Sequence, residues 1–397
     1  MINRPEYLRK LQQFMHKDLI KVITGIRRCG KSTLLEIFQK YLLGQGVLRE
    51  QILSINFENV DFEGLTDYRN LYVYIKSRLM PDRMNYVFLD EVQNVQNFQK
   101  AIDALYLLKN IDLYVTGSNA YMLSGELATL LSDRYITINM QPLSFWEYMS
   151  AHADKTDLSR KYRDYLTNSS FPYALEFSGD RELIRNYLSD LYNTIVLKDI
   201  VARKNVANVS MLESVIRFMF ANIGNLVSIK RISDAITADG RKISTHTVEN
   251  YLSALTDSYI LYKANRYDIR GKQYLKTGEK YYIADLGLRY FLLGSRDVDM
   301  GRMLENVVYL ELIRRGYEIY VGKMYDREVD FVALRNGETE YYQVALTVRS
   351  SQTLERELSS LDYIDDHNLK YLITLDDNPT TSHNGIRQLN AIDWLLS

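Results

Sequence analysis

The stretch GIRRCGKS, residues 25–32, follows a short apolar run and precedes a helical one. It fits the phosphate-loop pattern, in which two glycines enclose four residues and a lysine and a serine follow. Gly25 and Gly30 let the backbone turn so that its N–H groups converge on phosphate oxygens. The helix that follows directs the positive end of its dipole at the same anion. The stretch therefore predicts an α/β fold with a nucleotide phosphate site.

The residues after Gly30 supply the predicted ATP and Mg²⁺ contacts. Lys31 places a compact positive charge on the β- and γ-phosphates, and the Ser32 hydroxyl binds Mg²⁺. Thr33 adds a further nucleotide contact at the start of the helix. We therefore predict that Gly25, Gly30, Lys31, Ser32 and Thr33 bind the nucleotide.

The run YVFLDE, residues 86–91, ends a second apolar stretch in two acids. Asp90 is expected to hold the water shell of the Mg²⁺ ion. Glu91, which we expect to be the more exposed of the two, would orient the attacking water. A surface Asp–Glu pair at the end of a strand is the alternative interpretation.

Two later positions complete the predicted catalytic set. VTGSNA, residues 115–120, ends a third strand, so Ser118 or Asn119 could hydrogen-bond the γ-phosphate or the water. A plain strand-to-helix turn is the alternative. Arg134 precedes the next strand and is expected to stabilise the transferring phosphoryl group in a neighbouring subunit. A surface salt-bridge arginine is the alternative.

Composition limits the classes of protein that fit. A chain of 397 residues is too long for one compact core, and a net charge of −1 requires any nucleic-acid contact to come from a local patch. A single cysteine, Cys29, excludes an internal disulfide and a Cys-based zinc site. Apolar runs stay below about 18 residues and the N-terminus has no signal h-region, so we expect no membrane partner and a cytoplasmic location.

Residues 1–150 alternate β-type runs with helical patterns, which indicates a parallel sheet covered on both faces. This region is predicted to be a P-loop nucleotide-binding domain closed by PLSFWEYM, residues 142–149. The β-type runs are DLIKVIT (18–24), QILSINFE (51–58), YVFLDE (86–91), IDLYVTGS (111–118) and RYITINM (134–140).

Three further regions are predicted: a helical linker or lid at 151–225, a winged helix at 226–295 and a C-terminal α/β domain at 296–397. The winged-helix prediction comes from two helical patterns followed by two β-type runs. These elements span 228–236, 244–260, 260–268 and 280–285, with Ser244 or Thr245 as the N-cap of the second helix.

The winged-helix region has a local positive charge that suits DNA. Residues 226–282 carry ten Lys/Arg and six Asp/Glu, a net charge of +4. Side chains at the start of the second helix are expected to face a major groove, and basic side chains near the hairpin to meet phosphates. These are Thr245, His246, Thr247, Asn250, Arg266, Arg270, Lys272 and Lys276. A protein-binding surface or an ATPase lid is the alternative use of this region.

The stretch REVDFVALRNGETEYYQVALTV, residues 327–348, predicts a hairpin shaped like that of a metal-dependent nuclease. Such a site needs carboxylates at 330 and 343 and a lysine at 345. Asp330 and the preceding Glu305 fit this pattern, but Gln343 is neutral and Ala345 has no charge. We therefore expect a degenerate nuclease shape in which the two acids are structural. Basic partners considered for the region are Arg302, Arg327, Arg349 and Arg356.

Taken with their order along the chain, these motifs resemble the bacterial AAA-type ATPases that carry a C-terminal domain of unknown function and are related to the archaeal ATPases. The matching motifs are GIRRCGKST, YVFLDEVQ, VTGSNA, DRYI before PLSFWEY, KYYIADLGLR, and GRMLENVVYLEL with REVDF. The resemblance implies a P-loop ATPase domain, a winged helix and a degenerate PD-(D/E)xK nuclease-like domain. The family often has Gly-Arg where this chain has Asp133-Arg134.

Residues and resemblance together favour an ATP-driven conformational switch that engages DNA, a protein partner or further copies of the chain. A nucleotide-gated interaction protein with negligible turnover is the alternative. An ATP-dependent nuclease is a third hypothesis, which the hairpin disfavours.

Overall fold

The computed structural model describes residues 2–120, 131, 134–204, 206–294, 300–377 and 381–397, with backbone only at 203, 276 and 277. Two compact units divide the chain. The first runs up to Pro142 and includes Asp257–Tyr259, and the second holds Leu143–Thr256 and Ile260–Ser397. The helix within PLSFWEYM therefore lies in the second unit. The finer division into four domains stays a prediction.

The first unit alternates strands and helices, as the sequence predicts. Its helices are α1 (Pro5–Phe14), α2 (Lys31–Gly44), α3 (Tyr68–Lys76) and α4 (Phe98–Tyr106). Its strands are β1 (Ile20–Thr24), β2 (Ile52–Asn56), β3 (Asn85–Asp90), β4 (Ile111–Gly117) and β5 (Tyr135–Asn139). The strands form one sheet in the order β2-β3-β4-β1-β5, and every pairing is parallel. The predicted α/β class is confirmed.

Burial of the central strands explains their apolar sequences. All five residues of β1 and all six of β3 are buried, as expected of parallel strands covered on both faces. Lys21 in β1 is fully buried, and its ammonium donates to the Asp112 carboxylate on β4. The Tyr114 hydroxyl donates to the same carboxylate at 2.9 Å. A buried charge with these partners is tolerated in a core that is otherwise apolar.

The second unit begins with helices. They are α5 (Phe145–Ser150), α6 (Leu158–Asn168), α7 (Arg181–Thr194), α8 (Val209–Ala221), α9 (Ile229–Ala238) and α10 (Thr245–Asp257). After α7 the chain continues through a π-helical segment, Ile195–Val201, and a last turn, Ala202–Lys204. Ser244 caps α10, because its hydroxyl accepts from the Thr247 backbone N–H at 3.1 Å.

A mixed eight-stranded sheet forms the rest of this unit. Its strands are β6 (Leu261–Asp268), β7 (Gln273–Ile283), β8 (Glu318–Met324), β9 (Arg327–Arg335), β10 (Glu338–Val344), β11 (Leu369–Thr374), β12 (Thr381–His383) and β13 (Ile386–Asn390). The order is β12-β13-β11-β10-β9-β8-β6-β7. Helices α11 (Leu286–Leu293), α12 (Met300–Arg314), α13 (Ser351–Asp362) and α14 (Ala391–Leu396) accompany it.

The predicted wing is part of this larger sheet. β6 and β7 form the expected antiparallel hairpin, and β6 also pairs in parallel with β8. Val227, between α8 and α9, bridges Glu279 on β7. The region therefore has the element order of a winged helix, but its hairpin is continuous with the strands of the C-terminal region.

The 327–348 hairpin forms as predicted. β9 and β10 pair antiparallel, with Glu338 opposite Arg335. The two residues between the strands, Asn336 and Gly337, have φ of 53° and 85°. Positive φ at both positions is typical of a two-residue hairpin turn, which explains the Asn-Gly sequence. Among the described residues, no helix is both long and apolar enough to cross a membrane.

Asp285 is a buried helix cap whose contribution to the free energy of unfolding can be compared with that of an exposed cap. Its carboxylate caps α11 and accepts from the Leu288 N–H at 2.8 Å and the Ser170 N–H at 2.7 Å. We expect Asp285→Ala to lower the free energy of unfolding by about 3 kcal/mol, since buried donors lose their acceptor. Asp180→Ala removes the exposed cap of α7 and is expected to cost about 1 kcal/mol. Urea unfolding followed by circular dichroism measures both, and equal losses would contradict the prediction.

Candidate nucleotide-binding site

The loop between β1 and α2 has the backbone conformation that its glycines were predicted to provide. Gly25 has φ of 148° and Gly30 has φ of 104°, a region that residues with a side chain rarely adopt. A Cβ atom on Gly25 would lie 2.0 Å from the carbonyl oxygen of Met140. The loop therefore passes against the end of β5 at a distance that only glycine permits.

The first turn of α2 suits an anion. Gly30 is the N-cap residue, and no side chain caps the helix. The leading N–H groups of a helix, here those of Lys31, Ser32 and Thr33, have no partner within it. Their dipoles add positive potential, and the first turn carries no acidic residue. The donors present therefore fit a polyphosphate.

Lys31 lies beneath this loop with 4% of its surface exposed. Its ammonium donates to the carbonyl oxygens of Gly25 at 3.1 Å and Ile26 at 3.4 Å. A Glu91 carboxylate oxygen is 3.6 Å away. These contacts hold the ammonium at the phosphate loop through neutral oxygens and one long ion pair.

Asp90 is the last residue of β3 and is buried. Its carboxylate accepts from the Asn56 amide at 3.0 Å and from the Thr116 hydroxyl. Burial raises the pKa of Asp90, while hydrogen bonds from Thr116 and Ser32 oppose that rise. The Ser32 hydroxyl is thus close enough to the Asp90 carboxylate to stabilise its charge, and this pair of hard oxygen donors fits Mg²⁺.

Glu91 is buried as well, with 7% of its surface exposed against 4% for Asp90. Glu91 is therefore the more exposed of the two, as expected, although the margin is small because its carboxylate is enclosed by Lys31 and by the Gln93 amide that donates to it. Burial alone would raise the pKa of Glu91, but Lys31 and Gln93 hold that pKa below the ordinary value. Glu91 has φ of 55°, an uncommon conformation outside glycine, and its N–H donates to the Thr116 hydroxyl at 2.9 Å.

Ser118 and Asn119 follow β4, which lies between β3 and β1 in the sheet. Both side chains are buried, at 1% and 5% exposure. Because parallel strands end at one edge, these residues lie beside the phosphate loop and the acidic pair. Their catalytic roles stay predictions.

Arg134 lies at the opposite edge of the same sheet. Its carbonyl accepts from the N–H of Ile20, the first residue of β1, whereas the phosphate loop follows the last. At about 3.3 Å per residue, the strand separates the two positions by roughly 15 Å. The guanidinium pairs with Asp103 at 2.9 Å. Arg134 therefore cannot serve the phosphate loop of its own chain, while its role on a neighbour stays a prediction. Asp133 lies outside the described residues.

Three residues around the site were given no role by the sequence motifs. Asn56, the last residue of β2, and Thr116, inside VTGSNA but given no role there, hold the acidic pair, and their place at the ends of strands is the one signal they carry. Arg4 donates to the Cys29 carbonyl at 3.0 Å and to the Gln141 carbonyl at 2.7 Å. Nothing in the sequence links residues so far apart in the chain.

Cys29 and Arg27, also in the loop, differ in surroundings. Burial raises the pKa of the Cys29 thiol, so the group is protonated and inert. The Arg27 guanidinium forms an ion pair with Glu58 at 2.9 Å near the surface. Neither side chain alters the backbone N–H groups that face the phosphate position.

The residues predicted to meet DNA differ in exposure. On α10, Thr245, His246 and Asn250 are exposed and Thr247 is half-buried. Near the hairpin, Arg270 and Lys272 are exposed, while Arg266 is half-buried. The Arg270 guanidinium lies over the Tyr325 ring at 5.0 Å. The side chain of Lys276 lies outside the described set.

In the region predicted to resemble a nuclease, the acids have a partner that the sequence did not indicate. Glu305 and Asp330 bind Lys280 of β7. Arg327 instead lies over the Tyr363 ring at 4.0 Å. Lys280 precedes Glu305 by 25 residues, so residues adjacent in the sequence could not indicate this pairing. The downstream candidates pair elsewhere: Arg349 with Asp376 and Arg356 with Glu357.

Comparison with known proteins agrees with this geometry. A family model described as an AAA domain matches residues 17–149, and one described as a domain of unknown function matches 159–299. An uncharacterised protein of Haemophilus influenzae is 40% identical over 402 residues, covering 100% of this chain and 99% of that protein. One from Methanocaldococcus jannaschii is 27% identical over 384 residues, covering 90% and 82% respectively.

A solved structure shares the fold. The Walker-type ATPase of Pyrococcus abyssi superposes with a TM-score of 0.51 at 16% sequence identity. The match covers 74% of this chain and 96% of that one. The predicted P-loop fold is therefore confirmed independently of the phosphate-loop motif.

Gly25 gives a direct test of the loop geometry. We expect Gly25→Ala to abolish saturable binding of a fluorescent ATP analogue, because a Cβ atom would displace the loop from β5. Gly44→Ala is the matched control, since no atom lies within 4 Å of a Cβ there. It should bind as the wild type does. Wild-type binding by Gly25→Ala would show that the close contact with Met140 is not required.

Proposed function

This chain belongs to the AAA-type P-loop ATPases that carry an additional C-terminal domain of unknown function, and we propose that it hydrolyses ATP to drive a conformational switch. ATP binding follows from membership in this family. Hydrolysis, its coupling and the partners are the proposal. The observation that carries it is the meeting of Lys31, Ser32, Asp90 and Glu91 at one edge of the first sheet.

The side chains divide the work of hydrolysis among them. Lys31 binds phosphate oxygens, and Ser32 with Asp90 holds the metal ion. When bound, ATP would supply the phosphoryl group, and Mg²⁺ would offset the negative charge of the phosphates. Glu91 is ionised at neutral pH, because its pKa is held low, so it can orient a water molecule and accept its proton. Asn119 is proposed to hydrogen-bond the water or the γ-phosphate.

Arg4 provides a physical link between the nucleotide and the rest of the first unit. One guanidinium binds both the Cys29 carbonyl in the phosphate loop and the Gln141 carbonyl beside the end of that unit. Lys31, in turn, holds neutral loop carbonyls that it would release on binding phosphate. A shift of the loop is therefore passed through Arg4 to residues 141–142. This contact supports a switch rather than a static nucleotide site.

Duplex DNA is the partner that the exposed residues favour. Thr245, His246 and Asn250 form an exposed polar start to α10, which follows two helices and precedes a hairpin with exposed Arg270 and Lys272. The net charge of +4 in residues 226–282 favours phosphate contacts. A protein partner is the alternative occupant of this surface.

Assembly of several copies is part of the proposal, because Arg134 lies far from the phosphate loop of its own chain. Its side chain keeps 43% of its surface exposed while it pairs with Asp103. An exposed ion pair of this kind contributes little to stability and is readily exchanged. Arg134 is therefore proposed to reach the γ-phosphate bound by a neighbouring copy.

The roles of Lys31 and Glu91 predict different kinetic losses. Lys31→Ala should lose ATP binding, whereas Glu91→Gln should keep binding and lose kcat by a factor on the order of 10² or more. Glu58→Gln, which alters an acid at the edge of the loop, should retain wild-type turnover. Phosphate release and equilibrium binding of labelled ATP measure the two quantities separately.

The same assay, repeated with duplex DNA, tests the partner. DNA should raise wild-type turnover, and His246→Ala with Asn250→Ala should remove that increase without changing the basal rate. Stimulation that survives in the double variant would overturn the role of α10. ATP binding without turnover under either condition would instead favour the nucleotide-gated interaction protein.

Arg134 is tested by mixing two defective variants. Arg134→Ala alone should lose turnover by a factor on the order of 10³, the effect of an arginine finger. Mixed with Glu91→Gln, it should regain part of that turnover, because the partner copy supplies an intact Arg134. Arg69→Ala, an exposed arginine beside Tyr68, is the control and should remain active. Loss by Arg134→Ala with no recovery on mixing would contradict action between copies.

A further inference from the structure

A buried lysine in the second unit lies among three carboxylates. Lys280 on β7 has 3% of its surface exposed. Its ammonium is 2.8 Å from a Glu305 oxygen, 2.8 Å from a Glu328 oxygen and 3.4 Å from an Asp330 oxygen. Glu305 comes from α12, and Glu328 and Asp330 come from β9. The Lys280 side chain therefore joins the β6–β7 hairpin to these two elements.

The acids are held in place by further contacts besides the lysine. A Glu305 oxygen also accepts from the Tyr282 hydroxyl at 2.7 Å. The second Asp330 oxygen accepts from the Val344 N–H at 2.9 Å, and the Asp330 N–H donates to Gln343 at 3.3 Å. The Glu305 and Asp330 carboxylates therefore have fixed positions that do not depend on the ammonium alone.

We propose that the Lys280 ammonium is the built-in cation of this cluster, occupying the place that a divalent metal ion would otherwise take. Several carboxylate oxygens converging on one point are the ligands that Mg²⁺, Mn²⁺ and Ca²⁺ prefer. An ammonium has three N–H donors and meets three carboxylates here. With Lys280 in place the three acids do not themselves form a metal site, and no group of three or more His, Cys, Asp or Glu side chains among the described residues is placed to hold a metal ion.

The charge balance supports a cation at this position. Three acids around one ammonium leave an excess of negative charge. Removing Lys280 leaves the same acids without a countercharge, so a divalent cation would relieve their repulsion.

This geometry also separates Lys280 from a catalytic lysine of a nuclease. Such a lysine activates a water molecule beside a metal ion. The donors of Lys280 instead point at Glu305, Glu328 and Asp330. Position 345, where the nuclease pattern needs a lysine, is a buried alanine.

The test is Mn²⁺ binding by the nucleotide-free protein, followed by electron paramagnetic resonance, with thermal unfolding in parallel. Wild type and Asp330→Asn should bind Mn²⁺ identically, since neither offers this site. Lys280→Ala should bind one additional Mn²⁺ ion per chain and unfold at a higher temperature with the ion present. Adding Asp330→Asn to Lys280→Ala should remove both effects.

Lys263→Ala is the matched control, because Lys263 pairs with Glu279 on the same hairpin at 3.7 Å and is half-exposed. It should gain no Mn²⁺ site. Wild-type binding that Asp330→Asn abolishes would overturn the proposal, as would a folded Lys280→Ala that gains no ion. If Lys280→Ala is insoluble, it is refolded with and without Mn²⁺. Recovery only with Mn²⁺ supports the proposal, and failure in both overturns it.

Discussion

The parallel pairing of β1 with β4, and of β4 with β3, is the constraint on which the nucleotide site depends. Parallel strands end at one edge of a sheet, so residues far apart in sequence meet there. The phosphate loop follows β1, the acidic pair ends β3, and Ser118 and Asn119 follow β4. An antiparallel neighbour would have placed one of these groups at the other edge, where Arg134 lies.

Two buried lysines show how similar groups acquire different uses. Lys31 contacts two neutral carbonyls and one distant carboxylate, so a phosphate can replace its partners at small cost. Lys280 contacts three carboxylates, two of them at 2.8 Å. Breaking those pairs would leave uncompensated buried charges, which is strongly unfavourable. The first arrangement is suited to exchange, and the second to holding elements together.

In the second unit, the eight-stranded sheet joins regions that the sequence predicts to be separate small domains. Because β6 pairs with both β7 and β8, the hairpin that follows α10 is continuous with the C-terminal strands. Lys280 adds a charged contact between that hairpin and α12. A partner bound at α10 would therefore act on a hairpin that is coupled to the whole sheet.

The sequence by itself determined the phosphate loop, its acidic partners and the alternation of strands and helices. Those features rest on local patterns: glycines that permit the loop at 25–30, and apolar runs that must be buried. Tertiary structure alone decided which distant groups meet. Arg4 reaches Cys29 and Gln141, and Lys280 reaches Glu305 from another strand. The physical reason is that side-chain contacts across a sheet depend on strand order and register, which no local pattern encodes.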